Sequence, residues 1–284
     1  MVLLSVKPKA VANSVLGPDY FVGTVRRLAR RNKLSWSGYV RDLAGRSMRL
    51  SRYKRAPRGE GWAEERTYNL HYVHQFRHAL ETFFGSRKKG DLVSILSSKR
   101  KKQVNVLEDG PGKGTAMKQF REKLEKKGVT PYIVGVHVER RNPWLEKRKA
   151  QGVFDELHHG LAEHYVPTRK FDCIISFFGS VFHAPKFVQA EHIKKFAFSL
   201  NRGGIFVAAI HASPVLNSTE VEKQVLGRRI KQVERFLKPL GFKVGLYATP
   251  PIDVERVSSA AQSKWRDPRG LGNLADYTLI IQRL

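Results

Sequence analysis

The chain has 284 residues, 41% of them apolar, enough to bury the core of one large or two modest domains. Its 52 Lys and Arg against 25 Asp and Glu leave a net charge of +27, far beyond what solubility needs, so phosphate polyanions, nucleic acid first among them, are the expected partners. No apolar run reaches the roughly 18 residues that span a bilayer, and a single cysteine excludes an internal disulfide and a Cys-based zinc cluster, which leaves a soluble, cytoplasmic protein as the expectation.

The basic excess is densest before residue 90, from Arg26, Arg27, Arg30 and Arg31 through Lys54 and Arg55 to Arg87, Lys88 and Lys89. Val25, Leu28 and Ala29, then Val40, Leu43 and Ala44, recur at helical spacing, so this part reads as a basic helical extension over residues 1–89. Trp36, Tyr39, Tyr53, Trp62, Tyr68 and Tyr72 are interleaved with the charges, the pattern by which rings stack bases while cations hold phosphates, and core packing of each ring is the other reading. Residues 1–55 also have the Arg-rich, acid-poor composition of an organelle transit peptide, although Trp36 and the apolar spacing favour folded structure.

The spacing of Val73, Phe76, Leu80 and Phe83 predicts an amphipathic helix from Asn69 to Phe84. His71, His74 and His78 fall on a neighbouring face, as a solvated or RNA-facing row rather than a metal site, since no further ligand follows at a suitable spacing. The Ser-, Lys- and Arg-rich span from Ser86 to Gln103 reads as a hinge into a second unit, residues 90–284.

That unit opens with the apolar run Val104 to Leu107, which ends in Glu108 and breaks into Gly110, Gly112 and Gly114. Alternating glycines allow a sharp turn and a close backbone approach to a ligand, and Met117, Phe120 and Leu124 mark a helix from Ala116 to Lys127, closed by Gly128, whose N-terminus faces that ligand. The spacing is neither that of dinucleotide enzymes nor that of a P-loop. The segment resembles motif I of the class I S-adenosylmethionine-dependent methyltransferases.

The resemblance continues in order along about two thirds of the chain. Pro131 to Glu139 is similar to the family's second strand, Phe154 to Tyr165 to the third with its loop, Phe171 to Gly179 to the fourth, Leu200 to Ile210 to the fifth, Leu237 to Val244 to the entry of the sixth, and Asp276 to Ile281 to the seventh. It implies an α/β, Rossmann-like sheet of seven strands with helices on both faces, and S-adenosylmethionine as cofactor. It further implies that Glu108, Gly110, Gly112 and Gly114 contact the cofactor. His137 stands where the ribose-binding acid usually lies, with Glu139 two residues on, and Leu161 stands where the family often has an acid beside the adenine, with Ala162 and Glu163 following. Ser176 and Phe177, at the end of the fourth strand, are placed beside the reacting methyl and the acceptor.

The methyltransferases of base amino groups carry a polar residue, two prolines and an aromatic at that strand end; here Ser176, Phe177, Phe178 and Gly179 supply the polar start and the rings without proline. His183 is the group near the expected methyl that titrates near neutrality, so His183 and Ser176 are the catalytic candidates and no metal is expected. Cys173, inside an apolar strand, reads as packing, and Asp172 lies at the wrong end of its strand for ribose methylation. The expected function is methylation of structured RNA, ribosomal or transfer RNA, with the basic extension as the grip. The alternatives are a non-catalytic RNA-binding or ribosome-assembly protein that keeps the fold, and a small-molecule or protein methyltransferase.

Overall fold

The computed structural model describes residues 68–86, 89–99, 101–137, 142–160, 162, 165–177, 179, 181, 189–210, 220–249 and 275–284. The helices expected before residue 68, and with them Trp36, Tyr39, Tyr53 and Trp62, lie outside these residues, as do Glu139, Leu161, Glu163, Phe178 and His183.

Seven strands form one sheet: β1 (Gln103–Asp109), β2 (Thr130–His137), β3 (Glu156–His159), β4 (Phe171–Phe177), β5 (Leu200–Ile210), β6 (Phe242–Ala248) and β7 (Tyr277–Arg283). Their order is β3-β2-β1-β4-β5-β7-β6, parallel through the first five, with β7 antiparallel to both β5 and β6. This is the class I methyltransferase arrangement that the resemblance implies. The apolar runs of β1, β2 and β4 are buried on both faces, as strands sandwiched between helix layers must be.

Strand alternation divides the core in two. Val104, Val106, Cys173, Ile175 and Phe177 face one layer, formed by α1 (His74–Phe84), α2 (Leu92–Ser97), α3 (Thr115–Glu125) and α4 (Pro143–Ala150). Leu107, Ile174 and Phe206 face the other, formed by α5 (Gln189–Phe198) and α6 (Glu220–Leu237). No helix among the described residues is long and apolar enough to cross a membrane.

The predicted helix at 69–84 differs in its start: it begins as a π-helical turn, Tyr68–Val73, and only then becomes α1. Its stripe of Phe76, Leu80 and Phe83 is buried as expected, and Tyr68 and Tyr72 join it in the core, the packing reading of these two rings. The two tyrosines stand four residues apart, on the face that Phe76 continues. The side chain of His71 is not described; His74 and His78 are exposed.

Since α1 packs on the sheet, the folded unit reaches back at least to Tyr68, and a boundary at 89/90 would cut through its core. Within the span expected to be a hinge, residues 91–98 are folded. Asp91 caps α2 by accepting from the N–H groups of Val93 and Ser94, and Leu92, Val93, Ile95 and Leu96 are buried.

At the N-terminal edge of the sheet, buried Asp172 accepts from Asn105 N at 2.9 Å, Lys101 Nζ at 2.6 Å and Asn201 Nδ2 at 3.1 Å. It ties β4 to β1 and to the turn inside β5, a structural clamp far from the opposite edge where the glycine loop lies. Burial raises the Cys173 thiol to about 12, which keeps it protonated and fits its reading as packing.

Candidate functional site

In an open parallel sheet the crevice lies beyond the carboxyl ends of the strands where the order reverses, here between β1 and β4. The last residue of β1, Asp109, pairs in register with Ser176 of β4. Ser176 Oγ donates to Asp109 Oδ2 at 2.7 Å, and both residues are buried. Immediately after β4, Gly179 presses on the same aspartate, where an added Cβ would sit 2.1 Å from Asp109 O. The two central strands are therefore stitched together at the reversal point.

Directly after Asp109 the chain turns through Gly110, Gly112 and Gly114 with φ of 82°, 57° and 73°, the left-handed region that favours glycine. Gly110 N donates to Val136 O at 2.9 Å, extending the ladder to β2, and Gly114 N closes a turn on Pro111 O at 2.9 Å. Gly114 is needed for space as well, since a Cβ there would lie 2.9 Å from Phe154 Cε2. This is the close loop-to-sheet packing that a third glycine provides. Helix α3 starts at the next residue, with its first N–H groups at the loop.

Glu108, one residue before the end of β1, points to the opposite face from Asp109. It is fully buried and accepts a hydrogen bond from the Tyr72 hydroxyl of the π turn. Of the two readings of that ring, RNA stacking and core packing, the structure shows the second. The helical spacing of Tyr72, Phe76 and Leu80 was the signal that places it in the stripe.

At the end of β2, His137 is buried with Nε2 3.5 Å from Asn142 Nδ2. Asn142 caps α4: its Oδ1 accepts from Trp144 N at 3.1 Å and Leu145 N at 3.2 Å. With that oxygen committed, the amide NH2 is turned to His137 Nε2. Asn142 followed by Pro143 at the first helical position is a readable helix-start signal that the sequence analysis passed over.

Ala162 is held differently from the expectation. Its carbonyl accepts from the buried Lys195 Nζ at 2.6 Å and from Tyr165 N at 3.2 Å, so that oxygen is committed within the fold instead of facing an adenine amine. Phe177 is fully buried, 5.8 Å from the Tyr72 ring and 5.9 Å from the Phe76 ring, which makes it core rather than a stacking surface for a base or a sulfonium. Of the named residues, the fold thus gathers Glu108, the three glycines, His137 and Ser176 at one edge and turns Phe177 inward.

The rim beside the glycine loop is basic and carries an exposed ring. Trp144, in the first turn of α4, is 41% exposed, with Lys113 Nζ 4.7 Å above its ring. Lys147, Arg148 and Lys149 occupy the last turn of α4, and Arg148 donates to Thr115 Oγ1 at 3.1 Å.

These residues fit an S-adenosyl group in part. The loop backbone and the α3 N-terminus supply the close approach and the donors such a ligand needs, whereas the β2 end offers an imidazole in place of a carboxylate. Among the described residues no group of three or more His, Cys, Asp or Glu is placed to hold a metal ion.

No family profile matches the chain, and no curated protein matches it. Among solved structures it is similar to a protein of Listeria monocytogenes assigned to the class I S-adenosylmethionine-dependent methyltransferases, at 16% identity over 84% of this chain and 66% of that one, with a TM-score of 0.44. It is also similar to phosphoethanolamine N-methyltransferase 2 of Haemonchus contortus, at 16% identity over 72% of this chain and 56% of that one, TM-score 0.41. A third likeness is to an S-adenosylmethionine-dependent methyltransferase of Clostridium acetobutylicum, at 11% identity over 72% and 91% of the two chains, TM-score 0.44. The chain spans 66% and 56% of the lengths of the first two. At such identities neither substrate nor partner transfers from them.

Proposed function

We propose that this protein is an S-adenosylmethionine-dependent methyltransferase that acts on RNA, structured ribosomal or transfer RNA being the class that its charge suits. The observation that carries the reading is the left-handed loop through Gly110, Gly112 and Gly114, set between β1 and the start of α3 at the point where the strand order reverses. The bound group would supply an electrophilic methyl on a sulfonium. The protein's part is then mostly position and line of attack. The loop backbone and the α3 N–H groups hold, and His137, packed beside Asn142, stands at the end of β2 as a proposed ribose contact. The buried acids Glu108 and Asp109, each bonded to a hydroxyl, close β1 directly before the loop. His183 and Ser176 remain the proposed catalytic pair, and Glu139 a proposed ribose contact.

RNA as acceptor is supported by the net charge of +27 and by the rim of Lys113, Trp144, Lys147 and Lys149 beside the loop. A non-catalytic RNA-binding protein with this fold is the second reading, favoured by the imidazole at the end of β2 and the committed Ala162 carbonyl. Calorimetry with S-adenosylmethionine on nuclease-treated protein separates the two. Saturable binding that Gly110→Arg abolishes supports the enzyme; no binding by a folded protein that still retains RNA supports the second reading. A small-molecule or protein methyltransferase would instead keep its full activity after removal of residues 1–67, whereas the RNA enzyme loses affinity for its substrate.

A further inference from the structure

One π turn, Tyr68–Val73, is bonded to both flanks of the glycine loop. On the upstream flank, the Tyr72 hydroxyl donates to the carboxylate of Glu108, two residues before Gly110. On the downstream flank, Tyr68 N donates to Gln119 Oε1 of α3 at 2.7 Å, and the Tyr68 ring stacks on Phe120 at 5.5 Å. The turn is itself fixed from two further sides. The Tyr68 hydroxyl donates to Asp91, the cap of α2, and the Tyr72 ring packs against Phe76 and Phe177.

Glu108 is fully buried, so its carboxylate takes its place from protein donors rather than from water. The loop between it and α3 places a glycine at every second residue, each in the left-handed region, and its shape depends on how firmly its two ends are held. A widened helical turn costs hydrogen-bond quality, and such turns occur often at functional sites. Here both tyrosines of such a turn lie in the core against the sheet.

We propose that Tyr72 is a positioning residue for the ligand loop, acting through Glu108, and that the π turn therefore belongs to the cofactor site. The assignment rests on the methyltransferase reading for the identity of the ligand, but not for the effect on the loop. The turn acts as a bracket: Tyr72 sets the end of β1, Tyr68 sets the start of α3, and the glycines between them are held in the conformation that a ligand meets.

The test uses Tyr72→Phe in the full chain, which keeps the ring and removes only the hydroxyl, with hydrogen exchange of the amides from 110 to 116 and calorimetry with S-adenosylmethionine as readouts. The expected result is exchange at least fivefold faster in that segment and a Kd raised at least fivefold, with amides of β5 and β7 unchanged. In exchange at 110–116, Glu108→Gln in the same background should add less than a further twofold, because both changes break one bond. Phe196→Leu, which loosens packing against Phe206 in the other layer of the core, should leave exchange at 110–116 within twofold of the parent. Unchanged exchange and unchanged Kd in Tyr72→Phe would overturn the proposal, as would equal loosening by Phe196→Leu. If the parent protein binds no S-adenosylmethionine, the functional reading fails, and the exchange measurement alone still decides the role of Tyr72.

Discussion

Gln75, at the start of α1, and Thr278, in β7, hold each other by two hydrogen bonds: Gln75 Nε2 donates to Thr278 Oγ1 at 3.1 Å, and Thr278 Oγ1 donates to Gln75 O at 3.0 Å. The Gln75 side chain also accepts from Ala275 N at 2.8 Å and donates to Thr249 Oγ1 at 2.7 Å. A buried amide so fully used cannot be removed without stranding its partners. Gln75→Ala should cost about 2–3 kcal/mol of stability, since several buried groups lose a bond at once. Urea unfolding followed by circular dichroism checks this, and a loss below about 1 kcal/mol would mean that water replaces the amide.

Gly179→Ala tests the stitch at the strand reversal. The new methyl would meet Asp109 O at 2.1 Å, a backbone atom that cannot swing away, so the cost should reach about 1–3 kcal/mol as in other overpacked sites. Gly227→Ala, where a Cβ meets nothing within 4 Å inside a helix, should instead be neutral or stabilising by up to about 1 kcal/mol. Thermal unfolding of the two variants side by side gives opposite signs if Gly179 is held as described.

Cys173 gives a pH dependence with a definite sign. Its thiol is raised from 9.0 in the unfolded chain to about 12 in the fold, chiefly by burial, so above pH 9 the unfolded chain gives up a proton that the native protein keeps. Native stability is thus fully present below pH 9 and falls as the pH rises from 9 towards 12. Cys173→Ala should flatten that part of the stability curve. In the parent protein at pH 8 a thiol reagent should react at the rate of unfolding, and fast stoichiometric labelling would refute the burial argument.

Trp144 should matter to RNA and not to the cofactor. Base stacking on an exposed ring contributes about 1–3 kcal/mol, so Trp144→Ala should weaken binding of single-stranded RNA by about 5- to 100-fold. Lys147→Gln and Lys149→Gln should each lower the slope of log K against log salt by about 0.7 without base preference. Loss of S-adenosylmethionine affinity in Trp144→Ala would instead assign the ring to the adenine of the cofactor.

The parts of this fold that were legible in the sequence are those coded by neighbours. Val104 to Leu107 followed by alternating glycines is a strand and a loop within a dozen residues, and β2, β4 and β5 are mostly apolar because both their faces are covered. What escaped is coded at long range. Tyr72 bonds a residue 36 positions away and Gln75 one 203 positions away, so the local sequence leaves the first open between RNA ring and core and gives the second no role. The short α2 was hidden by the lysines and serines around it, although Asp91 before Leu92 and Val93 is an ordinary helix start. At the site, the glycines were readable because their conformation is a local need. The inward turn of Phe177 and the commitment of the Ala162 carbonyl depend on α1 and α5, which meet the sheet only after folding.

The strand order sets a timetable for synthesis. β7, the last strand in sequence, lies between β5 and β6 and also receives the side chain of Gln75. Until residues 277–283 leave the ribosomal tunnel, β5 has an open edge, β6 has no neighbour in the sheet, and the buried amide of Gln75 has lost its partners in β7. A nascent chain that has not yet released β7 therefore still exposes the edges of β5 and β6, a state that invites chaperones and aggregation. Release of β7 fills the gap between them and gives the Gln75 amide its partner in the sheet.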